Sequence, residues 1–392
     1  MAVELRPLGV ACNLGCDYCY QNPQRDAGNK SNTYRVEDML TTAETVDGPV
    51  ALFGGEPLLV PLADLERFFA WAAEHRRPIS LQTNGVLLND RHLDLFEKYA
   101  VEVGVSLDGP DELNDLRWQG TLERTRRATA KAHGALAALC ARGLSPAVII
   151  TLHRQNAVRS ALPRLLTWIL QLEASGVRFG RLHLLESESP DIRARYGLTV
   201  RENVDALLAV AALQAGALKR LRFDLFRDMW RMLSGNDSGA GCVWMACDPY
   251  TTAAVQGVEG DGAQSNCGRT NKDGIDFGKA DTPGYERYLA LYQVPQQDGG
   301  CQGCRFFLMC KGQCPGTGID GDWRNKTEHC QVWMDLYARL EAEMLAAGEA
   351  PLSVDPLRAE LERTVLDSWA AGRNLTLAQA VRTVRHAQHA GG

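Results

Sequence analysis

Apolar and polar positions follow two rhythms along the first half of the chain. Short apolar or alternating runs occur at 3–5, 50–53, 79–83, 101–106, 147–152 and 181–185. Bounded by Gly, Pro or polar residues, they predict strands. Between them, apolar residues recur three or four apart. That spacing predicts a helix from about 35 (Val36, Met39, Leu40, Ala43) and further helices over 61–75, 90–99, 121–141 and 161–173. Pro61 suits a first helical turn, where its missing N–H has no partner in any case. The stretch 21–34, with Pro23, Gly28 and several Asn residues, predicts an exposed loop.

Strand and helix alternate over about 185 residues, which predicts a parallel sheet with crossover helices. About six such units are too few for a closed eight-stranded barrel. The expected fold is therefore α/β, with an open, partial (β/α)6 barrel. Functional side chains should gather at the C-terminal ends of its strands.

Past 190 the pattern changes. Residues 190–234 read as helical, 239–335 are dense in Gly and Cys, and 332–347 return to helix with Gly348 after it. The tail holds an amphipathic helix with Leu357, Leu361, Val365, Leu366 and Trp369 on one side. The expected domains are a barrel over 1–190, a helical bridge over 191–238, a Gly/Cys-rich domain over 239–335 and a helical extension over 336–392.

Hydrophobic (45%) and charged (23%) content is that of an ordinary globular protein. A net charge of −6 argues against a nucleic-acid-binding surface, and the short basic run 124–127 reads as a solvated helix face. No signal segment or apolar run of membrane length is visible, so the expectation is a cytoplasmic protein that meets no membrane. Twelve cysteines in a reducing compartment point to metal ligands or catalytic thiols. Cys140, in an Ala/Leu-rich helix, reads as a core residue.

Cys12, Cys16 and Cys19 stand in C-x3-C-x2-C spacing just after the first strand. Three thiolates can hold three irons of a [4Fe–4S] cube and leave the fourth iron open. Zinc sites come as paired C-x2-C units and fit this spacing poorly. Gly54-Gly55-Glu56 follows the second strand. Its glycines permit close approach of a ligand, and Glu56 can accept from an ammonium group. Ser106 and Asp108 end the fourth strand, and Arg117 suits a carboxylate. A second cysteine set comprises Cys242, Cys247, Cys267, Cys301, Cys304, Cys310, Cys314 and Cys330. Eight thiols suit two cubes or two zinc ribbons equally.

The first cysteine motif, with an aromatic before its third cysteine, resembles the signature of the radical S-adenosylmethionine (radical SAM) enzymes, which share the partial (β/α)6 barrel. The later pattern C-x14-G-x4-C, C-x2-C-x5-C-x3-C and a last Cys resembles their SPASM extension. The resemblance implies three [4Fe–4S] clusters and SAM as cofactors. Cys12, Cys16 and Cys19 would hold the first cluster. Cys301, Cys304, Cys310 and Cys330 would hold a distal auxiliary cluster, and Cys247, Cys267 and Cys314 a nearer one with Cys242 as fourth ligand. Tyr18 would lie against adenine, Gly54, Gly55 and Glu56 would bind the SAM amino group, and Ser106 would sit by the ribose. Arg117 would meet the SAM carboxylate.

The implied chemistry is hydrogen abstraction by a 5′-deoxyadenosyl radical. The expected reaction is an intramolecular crosslink, carbon–carbon or thioether, in a ribosomally made peptide. The alternative is dehydrogenation of a protein Ser or Cys, or of a small molecule; a non-catalytic electron carrier is the third class. In sulfatase-maturing relatives an Asp follows the cysteine equivalent to Cys267 and serves as base. Gly268 stands there in this chain, which counts against that alternative. Asp261 and Asp320 are base candidates, with Asp248, Asp322 and His329 nearby in sequence. The expected partners are a precursor peptide, a separate peptide-recognition protein (the cysteine loop opens the sequence) and a flavodoxin- or ferredoxin-type electron donor.

Overall fold

The computed structural model describes residues 2–26, 33–187, 189–252, 255–271, 280 and 283–390. Among them the alternating pattern becomes one sheet of nine strands. These are β1 (Ala2–Arg6), β2 (Val50–Leu52), β3 (Ile79–Thr83), β4 (Glu102–Ser106), β5 (Ala147–Leu152), β6 (Phe179–Leu184), β7 (Arg222–Phe223), β8 (Val255–Glu259) and β9 (Gln264–Ser265). The spatial order is β7-β6-β5-β4-β3-β2-β1-β8-β9. All pairs are parallel except β8 with β9. The six expected strands lie side by side in chain order. The crossovers contain the helices Val36–Glu44, Leu62–Glu74, Asp90–Tyr99, Leu122–Ala141 and Leu162–Ser175. Asn89 and Thr121 cap two of them by accepting backbone N–H bonds.

Parallel sheets covered on both faces read as continuous apolar runs. These strands alternate instead, because only one face packs on helices. Val3, Leu5, Leu52, Leu81, Val103, Val105, Val148 and Ile150 are buried on that face. The register aligns the other residues across the sheet: Glu4 with Ala51, Gln82 with Gly104, and Thr151 with His183. Polar side chains at the strand ends therefore share one face.

Three strands escaped the sequence reading. β7 and β9 have two residues each, and β8 lies in the Gly-rich segment with Gly257 at its centre. A Cβ at Gly257 would stand 2.2 Å from Ser265 Oγ. The glycine is what allows β8 and β9 to pair, while β8 aligns with β1 along its whole length. The predicted loop at 21–34 is also corrected in part. Asn22–Asp26 is a short helix with Gln24 buried beside Gln21. The part of that loop over 27–32 lies outside the described residues.

Two compact units result: Met1–Phe223 with Val255–Phe277, and Asp224–Ala254 with Gly278–Gly392. They cut across the expected segments. Residues of the expected bridge up to Phe223 fall in the first unit, and β8 lies there as well. The second unit contains the helices Asp224–Leu233, Cys330–Ala346, Arg358–Ala370 and Leu377–Ala390. Asp237 caps the last helix by accepting from Leu377 N and Ala378 N. The unit holds an aromatic core that its Gly-rich sequence did not suggest. Trp369 stacks on Tyr285 at 5.8 Å and meets Tyr288 and Phe307, while Trp244 packs edge-on to Trp333 and Tyr337. The amphipathic tail thus packs into a core. Among the described residues no helix is long and apolar enough to cross a membrane.

Candidate functional site

The loop after β1 carries the first three cysteines. It is strung between two backbone anchors. On one side Gly55 N donates to Gly9 O and Glu56 N to Ala11 O, both at 2.9 Å. On the other, Gly15 N donates to Trp118 O at 2.8 Å and Asp17 N to Leu116 O at 2.9 Å. Cys12, Cys16 and Cys19 line one cavity together with Tyr18, Gly54, Gly55, Ser106 and Arg117, at the C-terminal ends of the strands. Burial pushes the Cys12 and Cys16 thiols up. Leu14 N donates to Cys12 Sγ at 3.4 Å, and Asn84 Nδ2 lies 3.8 Å from the same sulfur.

The double glycine serves the chain itself. A Cβ on Gly55 would stand 2.0 Å from Ala11 O, and one on Gly54, at φ +125°, would stand 2.5 Å from Gly9 O. The cysteine loop thus passes close to both glycines, which also line the cavity. Glu56 is buried, and its carboxylate accepts from Thr83 Oγ1 at 2.6 Å, Asn84 N at 2.8 Å and Leu58 N at 2.9 Å. It ties the end of β2 to the end of β3, and Gly54 and Gly55 form the cavity wall beside it.

Asp108 proves to be the hub of the site, with no exposed surface. It accepts from the Tyr18 hydroxyl, from Arg117 Nε at 3.0 Å and Nη2 at 2.9 Å, and from Thr151 N at 2.8 Å. Burial alone would push its carboxyl up, but the Arg117 guanidinium and His153 hold it well below the usual carboxylate range. Both Tyr18 and Arg117 face the cavity while anchored to this one carboxylate. Ser106 Oγ accepts from Gln82 Nε2 at 2.8 Å, and Gly104 leaves the room that Gln82 occupies.

In the second unit Cys301, Cys304, Cys310 and Cys330 line a single cavity with Phe306, Lys326 and Tyr337. Burial first, then the neighbouring thiols, pushes Cys301 up to about 12. Cys242, Cys247 and Cys314 also belong to this unit, whereas Cys267 belongs to the first. Cys242 opens the short turn Cys242–Trp244 and is exposed. Among the described residues no three His, Cys, Asp or Glu side chains converge as around a single ion.

The base candidates fare differently. Asp261 is an exposed turn residue that accepts from Ala263 N at 2.9 Å and lines no part of the first unit's cavity. Asp320 is an exposed turn residue at φ +59° in the second unit. Both stand in turns, a common place for Asp in Gly-rich sequence. Asp248 is a turn-former as well, accepting from Tyr250 N and Thr251 N, and Asp322 pairs with Arg324. Residues that the sequence reading missed stand in the cavity wall: His183 on β6, Glu186 after it, and Arg269 beside Gly268. The signal for His183 was the strand alternation, which puts it level with Thr151.

Residues 7–154 match the sequence family described as the radical SAM superfamily. Those residues therefore carry a radical SAM domain. Over 333 residues the chain is 25% identical to the serine-type anaerobic sulfatase-maturating enzyme of Klebsiella pneumoniae, covering 80% of this chain and 81% of that one. It is 30% identical over 129 residues to the cysteine-type enzyme of Clostridium perfringens, covering 30% and 35%. Its fold resembles native anSMEcpe with bound AdoMet and Cp18Cys peptide, with TM-score 0.68, 18% identity, and 88% and 98% of the two chains covered. It also resembles Streptococcus suis SuiB bound to precursor peptide SuiA, with TM-score 0.56, 14% identity, and 84% and 75% covered. The family implies a [4Fe–4S] cluster and SAM, and three half-buried thiols lining one cavity are a donor set that fits the cluster.

Proposed function

We propose that this radical SAM enzyme dehydrogenates a Ser or Cys side chain of a peptide or protein; its relatives are named serine-type and cysteine-type sulfatase-maturating enzymes. The observation that carries this is the 25% identity sustained over about four-fifths of both chains. It supports this reaction over the peptide crosslink expected from the sequence. Gly268 remains a departure, so the proton acceptor of the relatives has no counterpart at that position.

Cys12, Cys16 and Cys19 would hold the catalytic cluster. Cys301, Cys304, Cys310 and Cys330 would hold a distal one, and Cys247, Cys267 and Cys314 a third, with Cys242 as its candidate fourth ligand. When bound, SAM and the clusters supply the radical that removes one hydrogen atom and accept one electron, while the second hydrogen leaves as a proton. The chain's own work is placement. Asp108 fixes Tyr18 and Arg117 in the cavity wall, and Gly54 and Gly55 seat the cysteine loop. A peptide substrate, a flavodoxin- or ferredoxin-type donor and a cytoplasmic setting complete the proposal.

The test is anaerobic incubation of iron-loaded enzyme with SAM, reductant and sulfatase-derived peptides carrying Ser or Cys at the target position. An aldehyde captured by a hydrazide, formed with 5′-deoxyadenosine, is the expected result. A new intramolecular bond without aldehyde would return the assignment to crosslink formation.

A further inference from the structure

One edge of the catalytic cavity carries polar side chains of its own. His183, Glu186 and Arg269 line it, and Arg269 bonds to each of the other two. Arg269 Nη1 lies 3.0 Å from Glu186 Oε1, and Arg269 Nη2 lies 3.1 Å from His183 Nδ1. The guanidinium also lies 5.9 Å from the Tyr20 ring centre. Arginine has no acceptor, so His183 Nδ1 must accept, and the imidazole proton sits on Nε2. Burial and the Arg269, Arg181 and Arg117 guanidiniums hold His183 well below the usual histidine range, so the ring is neutral. Both members of the Arg269–Glu186 pair are about four-fifths buried.

This edge therefore offers N–H donors, with the Arg269 guanidinium paired to the Glu186 carboxylate. A carboxylate ligand would meet the Glu186 charge, and an ammonium would meet donors instead of acceptors. A neutral carbonyl oxygen avoids both conflicts. Gly268 contributes to the opening. A Cβ there would stand 3.1 Å from the Tyr20 ring and 3.3 Å from Gln21 Nε2, two other members of the cavity wall.

We propose that Arg269 and His183, with Glu186 balancing Arg269, form a substrate subsite that takes a backbone carbonyl of the peptide beside the residue being oxidised. The proposal rests on the peptide-substrate reading above and names which chain groups recognise the peptide. A guanidinium has five N–H donors and can serve its two partners and a ligand together.

The experiment measures binding of fluorescent Ser- and Cys-containing sulfatase peptides to the iron-loaded enzyme with SAM, alongside turnover. R269Q should weaken peptide binding about tenfold or more, the usual effect of losing a hydrogen bond to a charged group. Iron content and SAM affinity serve as controls for folding. A thioamide scan should find one carbonyl whose replacement weakens wild-type binding but not R269Q binding. E186Q supplies a readout that a purely structural role would not move. It removes the carboxylate charge that lies against Arg269 at this edge, so peptides with Asp beside the target should gain affinity relative to neutral ones. Equal peptide affinity in R269Q and wild type, or no change of charge preference in E186Q, overturns the subsite even if aldehyde is formed. Arg269-dependent binding without aldehyde leaves the subsite standing and sinks the dehydrogenase reading. A chain that binds no such peptide overturns both.

Discussion

Two carboxylates set the expectations at the scale of single residues. Asp108 neutralises a buried guanidinium and anchors Tyr18. D108N leaves Arg117 charged and without its carboxylate, and breaking a buried pair in this way costs about 3–5 kcal/mol. Thermal unfolding of the anaerobic protein should show that loss, with SAM cleavage falling in parallel. Wild-type stability in D108N would remove Asp108 from its central place. Glu4 faces the lumen side of β1, and burial pushes its carboxyl from an ordinary 4.5 up to about 7, with Arg6, Glu259 and Arg269 as charged neighbours. A folded-state value raised above the unfolded one means that the folded chain holds the proton longer. Its contribution to stability is thus full below about pH 4.5 and is lost as pH rises through about 7. E4Q mimics the protonated form. Its melting temperature should match wild type in acid and exceed it increasingly up to about pH 7, then level off. A constant difference across that range would refute the shift.

For the elements, the deciding feature is how closely the end of β2 passes the cysteine loop. G55A places a methyl group 2.0 Å from a backbone carbonyl, where no side-chain rotation can relieve it. The loop at Val10–Cys12 must move. The expected outcome is loss of the first cluster's iron and of SAM binding, with the second unit's iron retained. Unchanged iron and SAM affinity in G55A would mean that the loop tolerates displacement. The motif Gly54-Gly55-Glu56 was legible in the sequence, but its internal role was not. A Gly-Gly pair records that something passes close by, and only the fold says whether it is ligand or chain.

Across the whole molecule, Cys12, Cys16 and Cys19 lie in one compact unit, and the second set except Cys267 lies in the other. Three cubes would bring about twelve irons per chain. Replacing Cys12, Cys16 and Cys19 together by Ala should remove about four of them and abolish SAM cleavage. Retention of the auxiliary iron is expected because Cys301, Cys304, Cys310 and Cys330 line a cavity built within the second unit, walled by Phe306 and Tyr337. Collapse of all iron in that variant, measured by metal analysis after anaerobic reconstitution, would show that the sites assemble together.

By itself the sequence determined the six parallel strands, their helices and the three-cysteine loop after β1. These are local matters: period-two and period-3.6 patterns reflect one-sided burial, and ligand spacing is written along the chain. The tertiary structure decided what depends on distant residues meeting. It drew β8 beside β1, because a Gly-centred strand finds its partner only across the sheet. It made Asp108, a polar residue at a strand end, the anchor of Tyr18 and Arg117. It placed Asp261 and Asp320 in exposed turns. And it joined His183, Glu186 and Arg269 at one cavity edge, although 83 positions separate Glu186 from Arg269 in the chain. No periodicity encodes such a meeting. It follows from strand register and hairpin closure, which put side chains of balanced charge where burial makes each one's partner matter.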